Sequence, residues 1–307
     1  MNLEIELDPS RMGDYLRCPR LYFYRHVLGW RTETSQLPLV FGESWHRAKE
    51  LLFVRGVKEE NVEEAHRRFM DYYREHFSED TDLDSPRSPG NALTGLHEYV
   101  SLYGDWVTLE RIGDRPATEV YGTVPISDTR ILHFRIDAIL RSGSRVLIVD
   151  HKTSGINSPT YQSIYSVSNQ VYTYLHAMMS LYGVEKVEGL LIDLSVFKKS
   201  GNVHVRIPIK KSIEAMEEWL WNANKVYSRI EEDYEDLSKS SPEDPIMRAF
   251  PKNERGCAAF GRKCEYYDFC MGWPNPLRRA EKPPFGFVLD FWNPADIEKE
   301  KENVISL

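Results

Sequence analysis

The sequence predicts a mixed α/β protein, and three observations support this fold class. Most of the first 110 residues read as helices, including FGESWHRAKELLFVRG at 41–56, which ends at Gly56. Three consecutive segments rich in β-branched and aromatic residues, at 117–126, 131–140 and 145–152, predict antiparallel strands. After these strands, predicted helices and strands follow one another as far as residue 237.

The other elements follow from helix breakers, caps and loop-forming residues. Pro19 separates a short first helix from an aromatic-rich second helix within residues 10–29. Asn61 is the expected N-cap of a helix at 61–77, and the Ser-, Asp- and Pro-rich segment 78–90 predicts an exposed loop. Further predictions are a helix at 91–110, a helix at about 160–182, strands near 186–197 and 203–209, a long helix at about 211–237, an irregular Pro-rich segment, and a tail from Trp273 onward with little independent structure.

Composition and charge indicate which classes of protein this sequence can belong to. The 307 residues are 41% hydrophobic and 28% charged, as in ordinary globular proteins, and an aromatic content of 12% argues against disorder. No apolar run reaches the roughly 18–20 residues that span a bilayer, and the N-terminus lacks the basic and apolar parts of a secretory signal. We therefore expect a cytoplasmic protein with no membrane partner. The net charge of −8 disfavours a protein that simply coats nucleic acid, but not an enzyme with a local basic track.

The most informative segment is FRIDAILRSGSRVLIVDHKTSG, which predicts a β-hairpin. A turn at Ser142–Gly143 is expected to place Asp137 opposite Ile148. Asp150 is then the diagonal neighbour of Asp137 on the same face, roughly 7–8 Å away at Cα. Lys152 shares this face because side chains alternate along a strand.

Two carboxylates and a lysine on one strand face suit the hydrolysis of a phosphodiester. Mg²⁺ or Mn²⁺ held by carboxylates lowers the pKa of a bound water and neutralises charge on the phosphoryl oxygens. A nearby ammonium orients the nucleophile or stabilises that charge. The alternative is that Asp150 and Lys152 form a solvated strand end and that Asp137 is a surface residue. The strongly apolar strand VLIVD favours the functional interpretation, because a charge at its end indicates a purpose.

With these residues, the sequence resembles the PD-(D/E)XK nuclease superfamily, in particular its RecB-like branch. The resemblance covers about residues 10–270 and rests on a helix histidine, a strand aspartate, a D-x-K motif and a Q-x-x-x-Y motif, in that order. One departure is Arg135, which stands where the family has a glycine before the I-D pair. The matching residues are His46 in GESWH, Asp137 in FRID, Asp150 and Lys152 in DHK, and Gln170 and Tyr174 in QVYTY.

The resemblance implies a restriction-endonuclease-like core, in which helices flank a central mixed β-sheet. Beside this core it implies an N-terminal helical region and a C-terminal cysteine segment. The implied division is a helical region at 1–110 that carries Cys18 and His46, a nuclease core at 111–240, the cysteine segment at 241–275 and a tail at 276–307.

The resemblance also implies roles for individual residues around an Mg²⁺ or Mn²⁺ ion. Taken alone, His46 is more often a packed helix histidine than a metal ligand. Gln170 and Tyr174 share one helix face, as in any amphipathic helix, but by resemblance they point at the site and position DNA or Lys152. Glu119 is a candidate outer carboxylate. The expected metal ligands are His46, Asp137, Asp150 and the peptide carbonyl of His151, and the expected catalytic residues are Asp137, Asp150, Lys152, Gln170 and Tyr174.

Four cysteines, Cys18, Cys257, Cys264 and Cys270, account for one four-thiolate site with no thiol left over. Four thiolates suit Zn²⁺ or an iron–sulfur cluster, and the residues alone do not separate the two. Buried free cysteines are a further alternative. By resemblance to RecB-like nucleases of the AddB and CRISPR-adaptation types, CPRLYFYRH and CEYYDFC flank a [4Fe–4S] cluster, although many members have a shorter first C-terminal spacing. We expect the cluster to fasten the two ends of the chain, which have few other obvious means of being held in register.

The expected function is a metal-dependent DNA nuclease, an exonuclease that acts on single strands or DNA ends in recombination, repair, phage DNA metabolism or CRISPR adaptation. The chain has no G-x-x-x-x-G-K-[ST] motif, so a helicase, recombination or adaptation partner is expected to supply unwinding. One alternative is a non-catalytic DNA-binding or assembly subunit, and another is a structural zinc protein with a chance D-x-K. Five aromatic residues are candidates for stacking on unpaired bases, with core packing as the equal alternative: Tyr22, Phe23, Tyr24, Tyr161 and Tyr165.

Overall fold

The computed structural model describes residues 5–82, 85–104, 108–259, 262–293 and 304–306. Parts of the predicted loop at 78–90, of the helix at 91–110, of the cysteine segment and of the tail lie outside the described residues, at 83–84, 105–107, 260–261 and 294–303.

The chain divides into two compact units. The first comprises Met1–Thr34, Pro125–His133 and Glu214–Glu300, and the second comprises Ser35–Val124, Phe134–Ile213 and Lys301–Leu307. Cys18 therefore belongs to the first unit and His46 to the second, while the segment boundaries predicted at 110, 240 and 275 stay a prediction.

Helices form close to the positions that the sequence predicts. The predicted helices at 41–56, 61–77 and 211–237 are confirmed to within a few residues at each end. In the described residues the helices are α1 (Pro9–Arg17), α2 (Pro19–Tyr22, continued by a π-helical turn at Phe23–Val27), α3 (Leu37–Arg55), α4 (Val62–His76), α5 (Pro89–Tyr103), α6 (Pro159–Ser166), α7 (Asn169–Tyr182), α8 (Ile213–Ser238) and α9 (Tyr267–Gly272).

The strands are longest in the middle of the chain. The three strands predicted between 117 and 152 are confirmed, as are those near 186–197 and 203–209. In the described residues the strands are β1 (Trp30–Thr32), β2 (Arg111–Ile112), β3 (Arg115–Pro116), β4 (Thr118–Ser127), β5 (Arg130–Ser142), β6 (Arg145–Ser154), β7 (Val187–Val196), β8 (Val203–Ile209), β9 (Ala258–Ala259), β10 (Arg262–Lys263), β11 (Phe287–Leu289) and β12 (Val304–Ser306).

Most of a six-stranded mixed sheet lies in the second unit, with strand order β12-β4-β5-β6-β7-β8. β5 and β6 are antiparallel, β6 and β7 are parallel, and β7 and β8 are antiparallel. α3 packs against β6 and α7 against β7, while α3 packs on α4 and α4 on α5. This arrangement confirms the predicted mixed α/β fold with helices that flank a central sheet.

An apolar core fills the space between α3, α4, α5 and one face of this sheet. The Phe197 ring packs edge-on against Phe41 and Trp45, with ring centroids 4.7 and 4.9 Å apart, and Phe69 packs edge-on against Phe41 at 5.2 Å. All four side chains are buried. The strand residues that face this core are Ala138, Leu140, Val149 and Leu191.

The first unit is held together by aromatic packing between its N-terminal helices and the segments after α8. The Tyr24 ring stacks on Trp30 and Tyr266 with centroids 5.5 and 5.3 Å apart, and Tyr22 stacks on Phe250 at 5.9 Å. β1 pairs with β11. The expectation that these two parts of the chain have few other means of being held in register is therefore wrong.

The helix predicted at about 160–182 is two helices. α6 ends at Ser166, and α7 begins at Asn169 with Ser168 as its N-cap. The Ser168 hydroxyl accepts a hydrogen bond from the Val171 amide at 3.3 Å, which satisfies one of the amides left without a helical partner. A local cap thus divides a segment whose apolar pattern is continuous.

The turn between β5 and β6 lies one residue later than predicted. Ser142 pairs with Arg145, so Gly143 and Ser144 form the turn, and Gly143 adopts φ +62°, which glycine accepts without steric cost. The register therefore pairs Ala138 with Val149. Each partner moves by two positions, which leaves every side chain on the predicted face of the sheet.

In the described part of the chain, no helix combines the length and apolar character that crossing a membrane requires.

Candidate active site

The candidate site lies on the face of the sheet opposite the apolar core. Ala138 and Val149 belong to that core, so the adjacent residues Asp137 and Asp150 project from the other face. Because the paired residues Ala138 and Val149 are next to them, Asp137 and Asp150 are close neighbours rather than the diagonal pair that the sequence predicted. Lys152 shares the face of Asp150, as expected from strand alternation.

Three side chains come close enough to hold one metal ion. The ligand atoms of His46, Glu119 and Asp137 all lie within 4.8 Å of one another. His46 on α3 has Nδ1 3.3 Å from Asp137 Oδ1 on β5. Glu119 lies on β4, the neighbour of β5 in the sheet. The structure therefore brings together two predicted ligands and a third residue that the sequence indicated only as an outer carboxylate.

Glu119 is held in a strained backbone conformation. Its φ is +48°, in the left-handed region that non-glycine residues rarely adopt. Its Oε2 accepts a hydrogen bond from Arg135 Nε at 2.6 Å, and the Arg135 guanidinium is also 3.7 Å from Glu43. The Arg135 guanidinium thus supplies a counter-charge to the Glu119 carboxylate.

Asp150 and Lys152 form a second group on the same strand face. Lys152 Nζ lies 2.8 Å from Asp150 Oδ2 and donates to Oδ1 at 2.9 Å. Asp150 is almost fully buried, whereas a quarter of the Lys152 side chain is exposed. The ammonium is therefore placed between a buried carboxylate and solvent, where it can reach a bound anion.

The carboxylates of the site have strongly different pKa values. Burial, together with the negative charge of Asp137, raises the pKa of Asp150 to about 6 although Lys152 opposes this shift. Burial also favours the neutral form of Asp137, but the His46 imidazole and Lys152 hold the pKa of Asp137 well below its usual range. Burial raises the pKa of Glu119. Carboxylates whose pKa values are shifted in this way by burial and neighbouring charges are typical of functional sites.

Gln170 and Tyr174 lie one turn apart on α7. Gln170 Nε2 donates to the Tyr174 hydroxyl at 2.8 Å. Burial raises the pKa of Tyr174 well above its usual value, and the charges of Asp150 and Asp137 add to this shift. The charges of these carboxylates therefore act on Tyr174, while the roles of Gln170 and Tyr174 at the site stay a prediction.

His151 projects away from the carboxylates. Its amide donates to Asp137 Oδ2 at 2.7 Å, but its ring lies on the opposite face of the sheet, with Nδ1 2.9 Å from Asp193 Oδ2. This direction agrees with the expectation that the His151 side chain does not bind the metal. The ligand role of its carbonyl stays a prediction.

Of the five aromatic residues predicted to stack on bases, three are buried and two are partly exposed. Tyr22, Phe23 and Tyr24 are buried in the first unit, so core packing is their role and the stacking interpretation is wrong for them. Tyr161 and Tyr165 on α6 are partly exposed, with ring centroids 5.8 Å apart. Burial and the neighbouring Tyr161 raise the pKa of Tyr165, and the charge of Asp150 adds to this shift.

All four cysteines line one cavity of the first unit. The Asn253 amide donates to Cys18 Sγ at 3.3 Å. Gly256 approaches Cys18 so closely that a Cβ there would lie 2.6 Å from the carbonyl oxygen of Arg17 and 2.9 Å from Cys18 Cβ. The structure thus brings the N-terminal cysteine to the C-terminal three, and only a glycine at 256 permits that approach.

The sequence reasoning missed a buried charged group on the other side of the sheet. Asp193 on β7 and Lys49 on α3 are both buried, with Lys49 Nζ 2.9 Å from Asp193 Oδ2. The signal was present, because GLLIDLSV places a charge within an apolar strand just as VLIVD does. A charged residue in a strongly apolar strand indicated a role for Asp150, and the same pattern holds for Asp193.

The family model of the PD-(D/E)XK nuclease superfamily matches residues 6–271, which is most of the chain. The mixed sheet with flanking helices and the group of His46, Glu119 and Asp137 agree with this match. The chain belongs to the PD-(D/E)XK nuclease superfamily. Membership implies a metal-dependent nuclease that hydrolyses the phosphodiester bonds of DNA, and such nucleases usually use Mg²⁺ or Mn²⁺. No curated protein matches the chain.

Proposed function

We propose that this chain is an Mg²⁺- or Mn²⁺-dependent deoxyribonuclease of the RecB-like branch, and that it degrades single-stranded DNA from free ends. The observation that best supports this proposal is the cluster of His46, Glu119 and Asp137 beside the Asp150–Lys152 pair. The proposed setting is recombination, repair, phage DNA metabolism or CRISPR adaptation, with a helicase, recombination or adaptation partner to open duplex DNA.

The donor set fits a hard divalent cation. Two carboxylates and an imidazole converge within 4.8 Å, and Asp150 lies beside them. Mg²⁺ prefers oxygen ligands, and Mn²⁺ accepts oxygen and imidazole nitrogen. The proposed ligands are His46, Asp137, Asp150 and the His151 carbonyl, with Glu119 as an additional candidate.

When bound, the cation supplies charge neutralisation at the scissile phosphate and lowers the pKa of water. Side chains of the protein are proposed to orient the reactants and to stabilise the developing charge. The partly exposed Lys152 ammonium orients the attacking water or stabilises the developing phosphoryl charge. The Gln170–Tyr174 pair orients Lys152 or the DNA backbone.

The nuclease proposal is tested with end-labelled linear single strands, linear duplex and closed circular duplex, each incubated with Mg²⁺, Mn²⁺ or a chelator. We expect metal-dependent release of label from linear single strands and little cleavage of the closed circle. A non-catalytic DNA-binding subunit would instead bind DNA without cleaving any of the three. Efficient cleavage of the closed circle with none of linear single strands would contradict the preference for ends.

Tyr161 and Tyr165 are the proposed stacking surface for unpaired bases. Replacing both with alanine is expected to raise the KM for single-stranded DNA about tenfold or more, since stacking contributes about 1–3 kcal/mol per base. Replacing both with phenylalanine keeps the aromatic faces and is expected to leave KM within about twofold of wild type. Equal KM values for the alanine, phenylalanine and wild-type proteins would show that these rings do not bind bases.

We further propose that Cys18, Cys257, Cys264 and Cys270 hold a [4Fe–4S] cluster. The cavity that they share supports one common site, and the Asn253 amide that donates to Cys18 Sγ is typical of thiolates around such clusters. Zinc bound by the same four thiolates is the alternative.

A further inference from the structure

Asp193 is a buried carboxylate on β7 that the proposed chemistry leaves without a role. The Tyr99 hydroxyl and His151 Nδ1 donate hydrogen bonds to its Oδ2 at 2.9 Å each, and Lys49 Nζ forms an ion pair with the same oxygen at 2.9 Å. Arg206 Nε lies 3.8 Å from Oδ1. Lys49 and Asp193 are both almost completely inaccessible to solvent. Since buried charges are unfavourable unless they are paired and hydrogen-bonded, this arrangement indicates a specific purpose.

The network joins α3 and β6, two of the elements that carry the proposed metal ligands. Lys49 lies three residues after His46, so the two side chains are neighbours on one side of α3. His151 is the middle residue of the D-x-K motif on β6, and its partner in the β6–β7 ladder is Asp193. A single carboxylate oxygen therefore contacts both α3 and β6.

The peptide of His151 connects this network to the site. Its amide donates to Asp137 Oδ2 at 2.7 Å on the site face, while its ring bonds to Asp193 on the other face. The Phe53 ring packs edge-on against the imidazole, with centroids 4.8 Å apart. Because the ring is held by a hydrogen bond and by packing, the peptide that contacts Asp137 is held as well.

We propose that Asp193 is a positioning residue for the metal site, which sets the spacing between β6 and His46 by bonding His151 and Lys49 together. This proposal rests on the proposed function as a metal-dependent nuclease. An ion pair that served only stability would have no advantage here, because apolar residues of similar volume stabilise an interior as well or better. Residues that hydrogen-bond to a metal ligand hold that ligand in place, and here Asp193 bonds to the ring of His151, whose peptide carbonyl is a proposed ligand.

The test measures Mn²⁺ binding to folded protein by calorimetry, in the variant Asp193→Asn. We expect the dissociation constant for Mn²⁺ to rise about 10–100-fold, as when other residues that hydrogen-bond to metal ligands are replaced. Cleavage is expected to recover in part at high Mn²⁺. The matched control is Asp233→Asn in the first unit, where a buried carboxylate accepts hydrogen bonds from the Tyr15 hydroxyl and the Phe250 amide, both at 2.6 Å. This control is expected to lower thermal stability and leave Mn²⁺ affinity unchanged.

A second pair of variants applies if Asp193→Asn does not fold. His151→Asn retains a donor near the position of Nδ1, whereas His151→Leu removes it, and neither change alters the peptide carbonyl. We expect His151→Leu to weaken Mn²⁺ binding several-fold more than His151→Asn. Equal Mn²⁺ affinities in these two variants, or a wild-type affinity in folded Asp193→Asn, would overturn the positioning role.

The outcome is distinguishable from failure of the proposed function. If wild-type protein neither binds Mn²⁺ nor cleaves DNA, the nuclease proposal fails and so does this inference. If wild-type protein binds Mn²⁺ and cleaves while Asp193→Asn binds equally well, only the positioning role is lost.

Discussion

Replacing Asp150 or Lys152 with alanine is expected to lower the cleavage rate by at least two to three orders of magnitude while the protein stays folded. The loss of one group that stabilises transition-state charge typically costs about 2.7–4 kcal/mol, which is about 10²–10³ in kcat. Asp150→Ala removes a proposed metal ligand, and Lys152→Ala removes the ammonium 2.8 Å from it. The rates are measured on end-labelled single strands in Mg²⁺ and in Mn²⁺.

The control for this prediction is Lys186→Ala, which removes an exposed lysine of the same unit. Its cleavage rate and melting temperature are expected to match those of wild type, because surface substitutions of this kind change stability by at most about 0.5 kcal/mol. Circular dichroism of each variant separates loss of chemistry from loss of fold. Wild-type rates in folded Asp150→Ala or Lys152→Ala would refute the assignment of the active site.

Changing any one of the four cysteines to serine is expected to abolish binding of the iron–sulfur cluster and to lower the stability of the first unit. Wild-type protein prepared without oxygen should be brown, with broad absorbance near about 400 nm and about four irons per chain. The proposed cluster would tie Cys18 to residues more than two hundred positions later, and its metal–thiolate bonds would offset the entropy of closing that loop. Each kcal/mol of lost stability is expected to lower Tm by about 2–4 °C.

The aromatic packing between Tyr24, Trp30 and Tyr266 limits this effect. Because these rings hold the same segments together, we expect the serine variants to melt earlier rather than to be unfolded at 25 °C. Met271→Ser is the control, since Met271 lines the same cavity but is exposed and is not one of the four proposed ligands. It is expected to retain its iron. A colourless wild-type protein with one zinc per chain would replace the cluster with a zinc site and leave the nuclease proposal intact.

The predicted hairpin shows which structural features local sequence patterns are sufficient to predict. Strand alternation was sufficient to place Asp150 and Lys152 on one face, because a period of two holds in any strand. The predicted register of the hairpin was wrong, because the turn begins at Gly143 rather than at Ser142. The face was still correct, since the error displaced each partner by an even number of residues.

Aromatic residues show where local patterns fail. Tyr22 and Tyr165 have similar side chains and were interpreted in the same way, yet Tyr22 is buried against Phe250 and Tyr165 is partly exposed. Nothing in the residues next to them distinguishes the two. Burial depends on which distant segment packs against a side chain, and a single sequence without an alignment does not contain that information.

The sequence by itself determined the chemical parts of the site, namely the shared face of Asp150 and Lys152 and the pairing of Gln170 with Tyr174 on one helix side. These follow from the periods of strands and helices, which depend only on positions a few residues apart. The tertiary structure alone decided that Glu119 joins His46 and that Asp193 lies against Lys49. Such contacts join residues that are 70 or more positions apart in the sequence, so they exist only once the sheet order and the helix packing are formed.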